Sequence, residues 1–273
     1  MSLRINNNVE AFNTHRQLVG SSEMMAKSME RLSSGYRINR AADDAAGLAI
    51  SEKMRGQIGG LAQAQRNAQD GVSLVQTGEG ALNEVHSMLQ RVRELRVQYD
   101  AGTLSDTDKT SIAQEVGQLS AEINDIKNNT TFNGVDLLKS SGTISLQVGA
   151  NSGETIDVTT SDLTSGAGMT AVQTITSAST DLSTLSIDDI DTAIGEVSTT
   201  RAAFGAVQNR LEHRIASLAN YQENLVSAES RIRDVDMADE MVKFTKSQIL
   251  QQAGTSMLAQ ANQAPQSVLS LLR

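Results

Sequence analysis

Ile187, Ile190, Ile194, Val197, Arg201, Phe204, Gln208, Leu211, Ile215, Leu218, Gln222, Leu225, Glu229 and Ile232 follow one another at alternating steps of three and four. That spacing is a period of about 3.5 residues, the signature of a helix packed lengthwise on other helices. Sustained over about six heptads it predicts a helix about 70 Å long at 1.5 Å per residue. The N-terminal half supplies partners. Ile50, Met54, Leu61, Ala68, Val72, Val75, Leu82, Val85, Leu89, Val92 and Leu95 form a near-heptad row. Tyr99-Asp100-Ala101-Gly102 interrupts that row, and Ile112, Val116, Leu119, Ile123 and Ile126 predict a second helix over 105–128.

The two ends carry a further pair of stripes. One is Ile5, Val9, Phe12, Val19, Met25, Met29 and Leu32; the other is Leu250, Ala253, Met257, Ala261, Ala264, Val268 and Leu272. Each is too thin to hold a helix alone in water, so each needs a partner. End pairing end, and inner helix pairing inner helix, is the simplest architecture. Residues 140–186 differ: 20 of these 47 residues are Ser or Thr and none is Lys or Arg, which sets the segment apart from the helices. SLQVGA and TIDVTT flank NSGE, a hairpin pattern, so an exposed, partly β tip is expected here, with a disordered linker as the competing description. The fold class is therefore mainly α: a long antiparallel bundle or coiled coil of N- and C-terminal helices with a small β-hairpin region at the tip.

Composition narrows what such a bundle does. Trp and Cys are absent, Phe and Tyr number 4 and 3, and Pro265 is the single proline, so helices of small and aliphatic residues run nearly unbroken. Without cysteine there is no disulfide, thiolate zinc site or thiol nucleophile. The net charge of −9, with no basic block carrying aromatics, argues against nucleic acid. No stretch approaches the roughly 18 apolar residues of a membrane span, and MSLRINNNVEAF lacks the features of a cleaved signal. Neither membrane insertion nor signal-dependent secretion is expected.

Candidate chemistry is sparse. Asp43 and Asp44 in RINRAADDAAGLAISEKM are adjacent and so point about 100° apart on a helix, unable to converge on one ion. They suit a helix start, where free N–H groups and the dipole favour carboxylates. His15, His86 and His213 stand alone on helical patterns, and GQIGG (56–60) and GEG (78–80) lie inside helices, where glycine permits close approach. No catalytic residue, cofactor or metal site is expected, and the chain reads as no enzyme.

The stretches MERLSSGYRINRAADDAAGLAISEKMRGQI (29–58), LQRVRELRVQ (89–98), TFNGVDLL (131–138), GAVQNRLEHRI (205–215), AESRIRDVDMADEM (228–241) and SMLAQANQAPQSVLSLLR (256–273) resemble bacterial flagellin, in the family's own order. The resemblance covers about residues 4–138 and 187–273. It implies a structural subunit, exported by the flagellar type III apparatus and polymerised outside the cell into the hollow helical filament that drives motility. It implies an inner coiled-coil domain of 1–40 plus 237–273, with connectors to about 45 and from about 233, and an outer helical domain of 46–236 that includes a Ser/Thr-rich β tip, 131–186. The implied partners are further copies of the chain, an export chaperone and the filament cap.

By the same resemblance, Arg37, Arg40, Asp43, Asp44, Arg231, Arg233, Asp234 and Asp236 mark the connectors, and with Leu258, Leu269 and Leu272 they form the implied polymerisation interface. Arg91, Leu95 and Glu115 match the family's determinant for a vertebrate innate immune receptor; four residues apart, Arg91 and an exposed Leu95 are expected to share one face. The hook–filament junction protein shares the end helices, and a cytoplasmic coiled-coil scaffold would share the heptads. LAQANQAPQSVLSLLR favours the filament subunit over both.

Overall fold

The structure, a computed structural model, describes residues 8–175 and 182–271, and the side chains of 264–271 fall outside that description. The elements are α1 (Val9–Ser34), α2 (Ala45–Tyr99), α3 (Asp106–Asn129), β1 (Thr131–Phe132), β2 (Val135–Asp136), β3 (Gly142–Gln147), β4 (Thr155–Thr160), α4 (Ala167–Thr174), α5 (Ile187–Arg233) and α6 (Met237–Leu271). They form two compact units, Met1–Gly56 with Asn224–Arg273, and Gln57–Glu223. The divisions fall inside α2 and α5, later than the boundary near 45 and earlier than the one near 236 read from the sequence. The connectors account for this: they fold onto the first turns of α2 and the last of α5, as the 2.6 Å bond from Arg233 to Glu52 shows.

In the Gln57–Glu223 body the heptad row is the core. Along α2 the buried positions Leu61, Ala64, Ala68, Gly71, Val75, Gly78, Leu82, Val85, Leu89, Val92 and Arg96 keep alternating steps of three and four. Along α5, Ile190, Val197, Phe204, Leu211 and Leu218 are buried, one every seven residues. The two helices run antiparallel, with Arg93 bonded to Asp191 at 2.7 Å and Arg201 near Glu79 at 3.8 Å. Gly78 makes the close approach possible: a Cβ there would sit 2.7 Å from the Phe204 ring. Each buried Leu, Val or Phe contributes on the order of 1.5–3 kcal/mol.

The third helix, α3, starts on a capping box in which the Ser105 hydroxyl and Asp108 carboxylate satisfy each other's backbone N–H. It adds Ile112, Val116 and Ile123 to the core. Then Asn133 (φ 50°) and Gly134 (φ 79°) form the two-residue turn joining β1 to β2. Both φ values are positive, as the hairpin turn that matches strand twist requires, and Asn and Gly tolerate this best.

The middle segment is where sequence and structure part. β3 and β4 do form an antiparallel hairpin, from Gly142 opposite Thr160 to Gln147 opposite Thr155. It is not simply an exposed tip. Asn67 of α2 donates to the Gln147 carbonyl at 3.0 Å, and Arg214 of α5 donates to the Val148 carbonyl at 2.9 Å. Val148 and Ile156 pack with Ala68 and Leu211 in a second cluster. Alternation in TIDVTT places Ile156, Val158 and Thr160 on the buried face. Beyond it, α4 buries Met169 and Val172, and Glu196 of α5 accepts weakly from the free N–H groups of Gly168 and Met169. Eight residues make a helix too short to stand alone, and packing on α3 and α5 supplies what propensity does not. Arg96, nearly buried, donates to the Leu185 carbonyl at 2.6 Å and pairs with Asp100, fixing the entry to α5.

Candidate functional site

The other unit is an antiparallel pair, α1 against α6. Asn8 caps α1 by accepting from the Ala11 N–H at 3.0 Å, and its amide donates to the Ala261 carbonyl at 2.7 Å. Gly254 lies against Leu18, and Arg31 approaches Glu240 at 3.7 Å. Gly35, with φ 76°, closes α1 by donating its N–H to the Arg31 carbonyl at 2.9 Å.

What this pair buries is unusual. Among the described residues Ser21, Ser28, Glu240, Ser247 and Ala261 are its buried side chains, while Val9, Phe12, Val19, Met24 and Met29 of α1 stand exposed, Phe12 at 73%. On α6, Met237, Met241, Val242, Ile249, Leu250 and Met257 do the same. The apolar stripes thus mostly face outward, and small residues make the seam between the helices. Two grooves of about 490 and 480 Å³ lie on this surface. Met241, Val242, Ile249 and Leu250 line one; Gln17, Gly20, Met24, Gly254 and Met257 line the other. A row of exposed apolar side chains beside polar neighbours marks a protein-binding surface.

The connectors hold the base of the pair, and their charges work within the chain. Arg37 donates its N–H to the Arg233 carbonyl at 2.7 Å and its guanidinium to the Ile232 carbonyl at 2.6 Å. Val235 N–H returns a bond to Gly35, and Tyr36 pairs with Asp234 as an isolated bridge. Arg233 sits over the Tyr36 ring at 4.9 Å and holds the Glu52 carboxyl below its usual range. Arg40 pairs with Glu30 at 2.9 Å. Asp44 accepts from Gly47 N–H at 2.8 Å, starting α2 as the sequence suggested. Asp43 does something else: Lys27 of α1 approaches it at 2.8 Å, and the N–H groups of Asn39 and Arg40 donate to it. The Lys27 bond, followed by that from Arg40, lowers its pKa to about 2. Asp236 caps α6 through the Ala238 and Asp239 N–H groups, and Arg231 bonds Ser227. Leu258 is half-buried; Leu269 lies beyond the last described side chain and Leu272 outside the described residues.

Arg91, Leu95 and Glu115 are only partly assembled as expected. Arg91 donates to Glu115 at 2.8 Å on exposed surface, with Glu94 at 3.3 Å from the same guanidinium. Leu95 corrects the expectation: it is 2% exposed and belongs to the core. At this level α2 meets both α3 and α5, so the buried stripe widens to take in Val92, Leu95 and Arg96. The exposed aliphatic residue on this stretch is Val97. The near-heptad row includes Leu95; its expected exposure came from the resemblance and not from the spacing.

The chain matches the model of the bacterial flagellin N-terminal helical region over residues 5–143 and that of the C-terminal helical region over 187–272. It is 55% identical to a flagellin of Halalkalibacterium halodurans, over 98% of this chain and 99% of that one. It is 48% identical to a flagellin of Bacillus subtilis over 99% and 100% of the two chains. A flagellar filament 33 kDa core protein of Treponema phagedenis is 47% identical over 98% and 99%. Two helical ends in the right order, on relatives matched from end to end, leave one conclusion: this chain belongs to the bacterial flagellins, the family of flagellar filament subunits.

Proposed function

We propose that the outward apolar surface of α1 and α6 joins one copy of this subunit to the next, and that the exported chain assembles through it into the extracellular filament used for swimming. One observation carries this: the terminal helix pair buries Ser21, Ser28 and Ser247 and leaves Phe12, Val242 and Ile249 in water. Burying such side chains against a second copy supplies the free energy that the pair does not gain by itself. Arg37, Arg40, Asp43, Asp44, Arg231, Arg233, Asp234 and Asp236 set the connector geometry that supports this surface, and Leu258, Leu269 and Leu272 belong to the same interface. Before assembly the same face needs cover, a role for an export chaperone, and the filament cap receives it at the growing end. Arg91 and Glu115 form the exposed part of a surface that an innate receptor would read.

Seeded growth tests the assignment. Monomer added to sonicated filament fragments should extend them under electron microscopy. Phe12→Asp and Ile249→Asp should keep the parent's circular dichroism and fail to extend, because an unpaired carboxylate in an apolar contact costs several kcal/mol. Extension by both variants at the parent's rate would place the interface elsewhere.

A further inference from the structure

The chain has ten methionines, and they divide by unit. Met169 is fully buried in the body at 0% exposure, and Met88 packs on the same core. Met24, Met29, Met237, Met241 and Met257 on α1 and α6 are 49–58% exposed. Met24 and Met257 border the same groove over Gly20 and Gly254. With no cysteine in the chain, these thioethers are the soft, oxidisable groups of the surface.

We propose that the methionines of the α1–α6 surface are a modification site for peroxide-class oxidants, with Met24 and Met257 the decisive pair, and that their oxidation takes the subunit out of assembly. A sulfur lone pair attacks one peroxide oxygen; the O–O bond breaks and an S–O bond forms. Sulfur loses two electrons, the peroxide gains them, and for hydrogen peroxide the other oxygen departs as water after proton transfer. The product is a sulfoxide, polar and hydrogen-bond accepting where an adaptable apolar chain stood. In an apolar contact that oxygen gives up water and needs a donor. The hydroxyls lining that groove are engaged: Thr14 donates to the Ala11 carbonyl at 3.0 Å and Ser21 to the Leu18 carbonyl at 2.9 Å. Body methionines are shielded by packing, so the fold survives the chemistry that disables the surface. The assembly half of this inference rests on the proposed function; the reactivity half does not.

Purified monomer and finished filaments treated with hydrogen peroxide and mapped by peptide mass spectrometry test both halves. In monomer, Met24 and Met257 should oxidise about tenfold or more faster than Met169, since susceptibility follows exposure. In filaments they should be protected. Oxidised monomer should show unchanged circular dichroism and a critical concentration for seeded growth raised about tenfold or more. The two epimer-specific sulfoxide reductases together should restore growth, and Met24→Leu/Met257→Leu should extend seeds at the same rate before and after peroxide, whatever that rate is. Equal oxidation of Met169 overturns the reactivity claim. Undiminished growth of oxidised monomer, or loss of growth in the peroxide-treated leucine variant, overturns the switch. Failure of untreated parent to extend seeds overturns the assembly reading and the switch with it, while the oxidation rates in monomer still decide reactivity.

Discussion

The body and the α1–α6 pair use similar helices and bury opposite things. In the body, Phe204, Leu82 and Leu89 are fully inside, and buried polar groups such as Ser120 and Arg96 have partners, the Val172 and Leu185 carbonyls. In the pair, serines line the seam and Phe12 and Ile249 face water. Stability in the body is therefore intrinsic, whereas the pair gains its share only when another surface covers it. A protein can separate folding from polymerisation in this way by choosing which side of a helix carries the aliphatic residues.

The sharpest way to break the comparison is to truncate one phenylalanine in each unit. Phe204→Ala should cost about 3–5 kcal/mol in denaturant unfolding, by lost burial and a cavity beneath Gly78. Phe12→Ala should stay within about 0.5 kcal/mol of the parent monomer, as exposed sites do, yet weaken filament growth. Equal costs in monomer would erase the distinction. Next in size, Gly78→Val should cost about 1–3 kcal/mol, because the added Cβ meets the Phe204 ring. Limited proteolysis of dilute monomer should remove the terminal pair first and pause near the body, Gln57–Glu223. A smaller effect concerns acid. The Asp43 carboxyl is held down from 3.8 to about 2, so its bond to Lys27 favours the fold fully above 3.8 and fades as pH falls toward 2. Lys27→Met should narrow that window in an acid titration of connector protection, with the Arg40 and Asn39 N–H bonds holding what remains. Least of all, a short insertion at Asn151–Gly153 should leave unfolding unchanged, since that turn is exposed and Gly153 has φ 87°.

Much of the body was legible in the chain. Periodicity of 3.5 marks which residues face a partner, and the α5 row runs buried or half-buried from Ile187 to Ile232. The glycine reading held at Gly78, and at Gly60 where a Cβ would sit 3.1 Å from that of Ala150, but not at Gly56, Gly59 or Gly80, where a side chain would meet nothing within 4 Å. Periodicity does not say what covers a stripe. The terminal stripes were visible, their outward facing was not, because a heptad row looks the same whether its partner is in the chain or in a neighbour. Leu95 shows the converse: spacing placed it rightly on the apolar row, and the exposure taken from the resemblance is what its burial corrects. Lys27 and Asp43 meet through a tertiary turn at Gly35 that no local pattern encodes.

A strict repeat carries its own hazard. If every seventh residue of α5 is apolar and every seventh of α2 is too, the helices could slide by one repeat and find nearly the same match. Gly78 and Phe204 make the alignments unequal. Shifted one repeat along α2, the Phe204 ring would meet Val85, which has no room for it, or Gly71, whose space Leu146 of β3 occupies. The ring and the missing side chain act as key and keyway, so a near-degenerate ladder of apolar rungs admits a single alignment.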